Sequence, residues 1–223
     1  MPSRQLPLVN DEIYHVLNRG VARAPIFSDK KSYERFILAL NYYQYTNAPV
    51  KLSHYLSMPL FQREDILKGL EKEGKCLVEI VAFCLMPNHF HLLLKQLVDR
   101  GISLFMRKTG TSYGHYFNLR TDRIGPLVQG TFKAIRIVSE EQLLHMIRYI
   151  HINPYVGMVV KKDELLKYPW SSLGDYLRKQ KSGLISEKVI NEYFETAKGH
   201  LDFIKDEADF KRSQKELKHL SLE

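Results

Sequence analysis

Cysteine is close to absent: Cys76 and Cys84 are the only two among 223 residues. Two thiols are too few for a disulfide framework and too isolated for a four-ligand zinc site, which points to a reduced, cytoplasmic setting. Long apolar runs are missing as well. The most apolar stretch is broken by Glu79, Pro87, Asn88, His89 and His91, and Met1-Pro2-Ser3-Arg4-Gln5 lacks the apolar core of a signal peptide. No transmembrane segment and no membrane partner are expected. Neither an internal repeat nor a low-complexity tract occurs, which sets solenoids and fibrous proteins aside. Negative charge is the last shortage, with 25 Asp and Glu against 33 Lys and Arg and a formal charge of +8.

What is present is ordinary in bulk, 44% hydrophobic and 26% charged, the composition of a globular protein of one domain with an appendage. A chain of this length buries roughly 70% of its unfolded surface, enough for a core without disulfides or structural metal. Any metal site is therefore there for chemistry. The positive excess is uneven: residues 1 to 184 carry 26 basic and 16 acidic side chains, residues 185 to 223 only 7 and 9. The first part suits a polyanion, since cations gain free energy by releasing counterions from nucleic acid, although the same excess fits an acidic membrane surface or simple solubility.

Hydrophobic period gives the order of elements. Ile13 to Asn18 alternates as a first strand, ended by Arg19-Gly20. Asp29 caps a helix from Lys30 to about Thr46, with Phe36, Ile37, Leu40 and Tyr43 turned inward. Residues 48 to 75, with Pro49, Pro59 and a charged run, read as an insertion holding one short helix around Glu64 to Lys72. Leu77 to Leu85 and His89 to Lys95 form a hairpin-like pair of buried strands about Met86-Pro87-Asn88. A helix follows from Ile102 to about Arg120. Phe132 to Val138 then alternates apolar and basic residues; Lys133 and Arg136 differ in parity, so only one is expected to point outward. Ser139-Glu140-Glu141-Gln142 has the form of a capping box opening a helix to about Asn153, where Pro154 is expected to stop it. The order β-α-β-β-α-β-α predicts an α+β, ferredoxin-like antiparallel sheet with helices on one face. After about Gly183, Val189, Ile190, Tyr193, Phe194 and Leu201 suggest amphipathic helices.

Two short motifs carry candidate chemistry. In His89-Phe90-His91 the strand alternation puts both imidazoles on one face, where they suit a divalent metal; two polar positions on a sheet edge would look the same. In Tyr149-Ile150-His151-Ile152-Asn153-Pro154, Tyr149 and Asn153 share a helix face. Asn supplies a carbonyl ligand and Tyr a nucleophilic oxygen, or the pair is a core tyrosine and a polar helix end.

Taken jointly, four blocks resemble the REP-associated tyrosine transposases, relatives of single-strand insertion-sequence transposases with an HUH motif. They are Tyr14-His15-Val16 with Asn18-Arg19-Gly20; Met86-Pro87-Asn88-His89-Phe90-His91; Gln129-Gly130 before Lys133; and Tyr149 to Pro154 with Pro169-Trp170-Ser171-Ser172. The likeness runs from about residue 8 to 180. It implies an HUH transposase domain over residues 1–183, with 48–75 as a probable insertion, and a helical C-terminal extension over 184–223.

The resemblance further implies His89 and His91 as metal ligands, Asn153 completing the site, and Tyr149 as the nucleophile that forms a 5′-phosphotyrosine. Mixed imidazole and amide oxygen ligands suit Mg²⁺ or Mn²⁺. The implied substrate is single-stranded DNA with hairpin or palindromic repeats, and the implied place is the cytoplasm, with the nucleoid. Arg19, Arg23, Arg107, Lys108, Arg120, Arg123, Lys133 and Arg136 are candidates for phosphate contact. Tyr113 and Tyr116 read as packing or base-stacking residues, and His145 as structural or DNA-contacting. Two other readings stand beside the transferase: a hairpin-binding protein that does not cut, and a metal nuclease using water. Monomer and homodimer both fit the sequence.

Overall fold

Strands of alternating or wholly apolar side chains supply the four-stranded sheet, in the order β2-β3-β1-β4: β1 is Ile13–Arg19, β2 Val78–Met86, β3 His89–Gln96 and β4 Lys133–Arg136. In this computed structural model residues 7–179 and 182–185 are described, with 188, 191, 192, 199, 202 and 204 beyond them. Val189, Ile190, Tyr193, Phe194 and Leu201, on which the helices expected after Gly183 rest, lie outside the described residues. β1 is antiparallel to β4, Tyr14 facing Arg136 and Leu17 facing Lys133. It is antiparallel to β3 as well, since Gly20 N–H bonds the Asn88 carbonyl at one end and Gln96 N–H the Glu12 carbonyl at the other. The two-residue reversal at Pro87-Asn88 closes β2 onto β3. This is the ferredoxin-like strand order, and the α+β class holds.

The chain falls into two compact units. The sheet unit comprises Ile13–Phe27, Ile80–Leu94 and Val128–Glu223; the helical unit comprises Met1–Glu12, Ser28–Glu79 and Lys95–Leu127. In the sheet unit, helix α5 (Glu140–Val156) starts where Ser139 Oγ accepts from Gln142 N–H and Gln142 reaches back to Val138 N–H, close to the expected capping box. Its Leu143, Met146, Ile147 and Ile150 are buried against Val81, Ala82, Cys84 and Leu93 of the sheet. Fully burying one such aliphatic side chain contributes about 1.5 to 3 kcal/mol. Proline does not stop this helix at Asn153. The turn runs on through Pro154 to Val156, because one proline removes a single N–H, and the backbone closes by Gly157 N–H to the Asn153 carbonyl.

Beyond α5 the expected irregular stretch is partly ordered. Trp170 to Ser172 lies along the outer edge of β2: Leu85 N–H bonds the Trp170 carbonyl and Ser172 N–H the Phe83 carbonyl. Tyr168 and Tyr176 hydroxyls donate to the Leu85 and Val81 carbonyls. The edge-facing groups near 81, 83 and 85 are thus occupied. A short helix α6 (Leu173–Tyr176) follows, and Leu173, Leu177 and Ile204 join Ile152 in a smaller apolar cluster.

In the helical unit, α1 (Lys30–Tyr43) begins at a reciprocal cap between Asp29 and Ser32 and ends three residues short of the expected Thr46. It packs on α4 (Gly101–Thr121), with Phe36 edge-on to Tyr113 at 5.0 Å. The insertion holds two helices where one was expected, α2 (Leu52–Ser57) and α3 (Leu60–Glu73). Tyrosines tie it down: Tyr42 Oη donates to the Val50 carbonyl and Tyr43 Oη accepts from Leu52 N–H, both at 2.9 Å. Gly74, at φ +63°, ends α3 in the left-handed conformation that glycine adopts without strain. Among the described residues no helix is long and apolar enough to cross a membrane.

Candidate functional site

Strand parity and helix pitch bring the two motifs together in the sheet unit. His89 and His91 stand two apart on β3, and Tyr149 and Asn153 one turn apart on α5. The His91 ring meets His89 edge-on at 4.9 Å and Tyr149 edge-on at 5.6 Å. A pocket of about 450 Å³ opens over them, lined by His89, Tyr149 and Asn153 with Arg19, Arg23 and Asn88. His91 lies beneath that lining, fully buried, while Tyr149 keeps 9% of its surface exposed. On another side of α5, His151 Nε2 sits 2.7 Å from Ser172 Oγ, and that hydroxyl also bonds the Phe83 backbone. The helix is thereby fixed in rotation.

Backbone from three of the sequence blocks frames the pocket. Asn18 Oδ1 accepts from Arg19 N–H and its amide nitrogen donates to the Gly130 carbonyl; Gln129 N–H bonds the Arg19 carbonyl. Ile26 and Phe27 N–H both reach the Pro87 carbonyl. Gly20 has no room for a side chain, since a Cβ would lie 2.1 Å from the Ala24 carbonyl oxygen. Ala22 and Arg23 take positive φ of 53° and 61°, an arrangement that costs L-residues energy and is held here by the surrounding bonds.

The hydrogen bonds define which nitrogen of His89 is available. Asn88 Nδ2 donates to the Arg23 carbonyl, so its Oδ1 faces His89 Nδ1 at 2.6 Å and must accept. His89 Nδ1 carries the proton, and Nε2 bears the lone pair. His91 Nδ1 lies 2.9 Å from His15 Nε2, and His91 Nε2 is buried without a hydrogen-bond partner among the described residues. A buried ring nitrogen in that state is costly unless some group outside the chain meets it.

Charge agrees with this. Burial, with Arg19 as a second cause, pushes His89 down to about 4; burial and then His15, His89 and Arg19 hold His91 well below the ordinary histidine range. Both rings are neutral at pH 7, as ligation requires. Among the described residues no three His, Cys, Asp or Glu side chains are placed to hold one ion. Asn153 is a further polar side chain on the same pocket as His89, and its amide oxygen is of the type that joins imidazoles around a divalent ion.

The other expected residues divide. Arg19 and Arg23 line the pocket. Arg107 and Lys108 line a separate cleft in the helical unit. Arg120 is held by Asp29, Nη1 at 2.8 Å from Oδ1 with a second, closer contact through Nη2, and Arg123 donates to the Pro126 carbonyl. Lys133 and Arg136 are both exposed despite their opposite parity, because they are the two ends of a four-residue edge strand. Tyr113 is a buried packing residue, 2% exposed, and Tyr116 lines the cleft. His145 meets Arg148 Nη2 at 3.0 Å.

His15 is the residue that motif reading passed over. It lay within a quoted block, but its place beside His91, with ring centroids 5.1 Å apart, depends on the register of β1 against β3.

The sheet order and the position of α5 define a ferredoxin-like α+β domain with a tyrosine helix packed on its sheet. No family model and no curated protein matches the sequence. Among solved structures, a REP-associated tyrosine transposase bound to a REP hairpin has a similar fold, with a TM-score of 0.53 and 16% identity over 83% of this chain and 88% of that one.

Proposed function

We propose that this chain is a transposase-like DNA-strand transferase that cleaves and rejoins single-stranded, hairpin-containing DNA through Tyr149. The observation that carries the proposal is the meeting of Tyr149 with His91, beside His89 and Asn153, at one pocket flanked by Arg19 and Arg23. The similar fold of a hairpin-bound transposase supports the choice of substrate.

His89, His91 and Asn153 are the residues that would hold a divalent ion, Mg²⁺ or Mn²⁺. Bound there, it supplies Lewis-acid polarisation of a non-bridging oxygen of the scissile phosphate. Arg19 and Arg23 add positive charge at the same phosphate and orient it. Tyr149 Oη attacks phosphorus and gives up its proton; the phosphorus to 3′-oxygen bond breaks, and the leaving 3′-oxygen takes a proton to become a hydroxyl. The new ester is a 5′-phosphotyrosine. A 3′-hydroxyl of another strand reverses the step, so joining needs no high-energy cofactor.

The deciding experiment incubates the protein with labelled hairpin DNA bearing single-stranded flanks and Mn²⁺ or Mg²⁺, then runs a denaturing gel. A protein-DNA adduct that is formed by wild type and lost in Tyr149→Phe is the expected result. Cleavage without an adduct that survives Tyr149→Phe would mean a water-using nuclease. Tight binding with neither cleavage nor adduct would mean a hairpin-binding protein.

A further inference from the structure

A second cavity shares no lining residue with the histidine pocket. It is a cleft of about 870 Å³ in the helical unit, lined by one face of α4, by Arg35 and Tyr43 of α1, and by residues 48 to 51 and Ser53 of the insertion. The α4 face repeats at three and four residues: Arg107, Lys108, Thr111, Ser112, His115, Tyr116 and Leu119. From 107 to 119 that face is roughly 18 Å long.

Arg35, Lys51, Arg107 and Lys108 all line the cleft, and no carboxylate is among its lining residues. The Arg35 guanidinium lies over the Tyr116 ring at 5.3 Å, and its Nε is buried without a hydrogen-bond partner among the described residues. Lys108 is half-buried beside Arg107, and burial, followed by that neighbouring charge, lowers its pKa. Arg35 and Lys108 are half-buried in a cleft with no lining carboxylate, so they have lost water without gaining an anion, and an incoming anion makes up the loss. Thr111 and Ser112 add hydroxyls to the same lining, and the half-buried Tyr116 ring, with Arg35 over it and Arg120 at its hydroxyl, gives the cleft a cation-backed π surface.

Resting on the DNA reading above, we infer that this cleft binds an unpaired DNA segment, its phosphates on Arg35, Arg107 and Lys108 and a base stacked at Tyr116. Single-stranded DNA is favoured over a duplex because an aromatic face set within a cleft reaches only a base that is free of its partner. A bare acidic peptide would use the charges and leave the ring idle.

Fluorescence anisotropy with a labelled dT12 strand tests this on the full chain. Arg107→Ala/Lys108→Ala is expected to weaken dT12 about 10-fold and to flatten the log affinity against log salt slope by about 1.4, the value for two phosphate contacts on a single strand. Tyr116→Ala is expected to weaken dT12 about 5-fold or more with the slope unchanged, a stacking loss of at least about 1 kcal/mol. Tyr116→Phe retains stacking and binds as wild type. Unchanged affinity and slope in the double variant, with an unchanged melting temperature, overturns the inference. So does displacement of dT12 by polyglutamate at equal charge concentration, which would make the cleft a site for acidic peptide. The Tyr149 adduct is scored separately. If it never forms while cleft variants still lose dT12, the transferase reading fails and the cleft stands; if it forms and cleft variants bind dT12 normally, the reverse holds.

Discussion

The histidine pocket and the basic cleft are built on opposite principles. The pocket holds its key groups neutral and immobile: two imidazoles below their ordinary pKa, one fixed by Asn88 and the other beside His15, over a helix locked by Ser172. The cleft is about twice as large, and its determinants are cations with no lining carboxylate and an aromatic ring. Reaction at one atom needs fixed lone pairs, whereas holding a flexible strand needs charge of one sign and a π-face. Changes in the pocket should therefore act on chemistry and on metal affinity, while changes in the cleft should act on salt-dependent affinity.

The largest expected effect breaks that comparison at its sharpest point. Tyr149→Phe removes one oxygen and should abolish adduct formation by a factor of about 1,000 or more, with hairpin affinity within about twofold of wild type, checked by gel and anisotropy. Equal losses of binding and adduct would show that the pocket works mainly by affinity.

Next is pH. His89 is depressed to about 4 from an ordinary value near 6.5, so the unfolded chain binds its proton first as pH falls. Stability is full above about 6.5 and is lost progressively down to about 4. The folded protein should lose about 3 kcal/mol across that window from this group, measurable by urea unfolding at pH 7 and pH 4.5. His89→Gln should flatten the dependence, and an unchanged slope would locate it elsewhere.

His15 gives the third. It sits 2.9 Å from His91 Nδ1, and the tautomer in which His15 accepts the proton there is the one that leaves His91 Nε2 a lone pair for an ion. His15→Ala should weaken Mn²⁺ binding about 10-fold to 100-fold, read by calorimetry or by the spin resonance of free Mn²⁺, and His15→Gln should restore part of it through the side-chain carbonyl. Unaltered Mn²⁺ affinity in His15→Ala would reduce His15 to a packing residue. The smallest effect is expected from Arg120→Ala. That side chain is already held by exposed Asp29, so dT12 affinity and melting temperature should barely move.

Much of this was legible in the chain, for reasons that name its blind spots. His89 and His91 share a face by strand parity alone, and α5 was readable from its cap and its apolar stripe. The start of α3 was hidden because Leu60 and Phe61, each 63% exposed, break the amphipathic pattern. Its companion α2 has only six residues, too few for a period. His15 and the cleft share one cause of invisibility. Each is made by residues distant in sequence, His15 and His91 being 76 apart, and no local pattern encodes a register or the wall that an insertion supplies.

The strip from Trp170 to Ser172 has a consequence for assembly. A sheet with a bare edge recruits strands from other molecules, and soluble proteins guard against this. Here β2 is closed around residues 81 to 85 by the chain's own Tyr168, Trp170, Ser172 and Tyr176. Two copies that joined by continuing this sheet would have to do so through β4, four residues long with a cation at each end, where their like charges would repel. Edge-to-edge polymerisation is thereby discouraged at both margins.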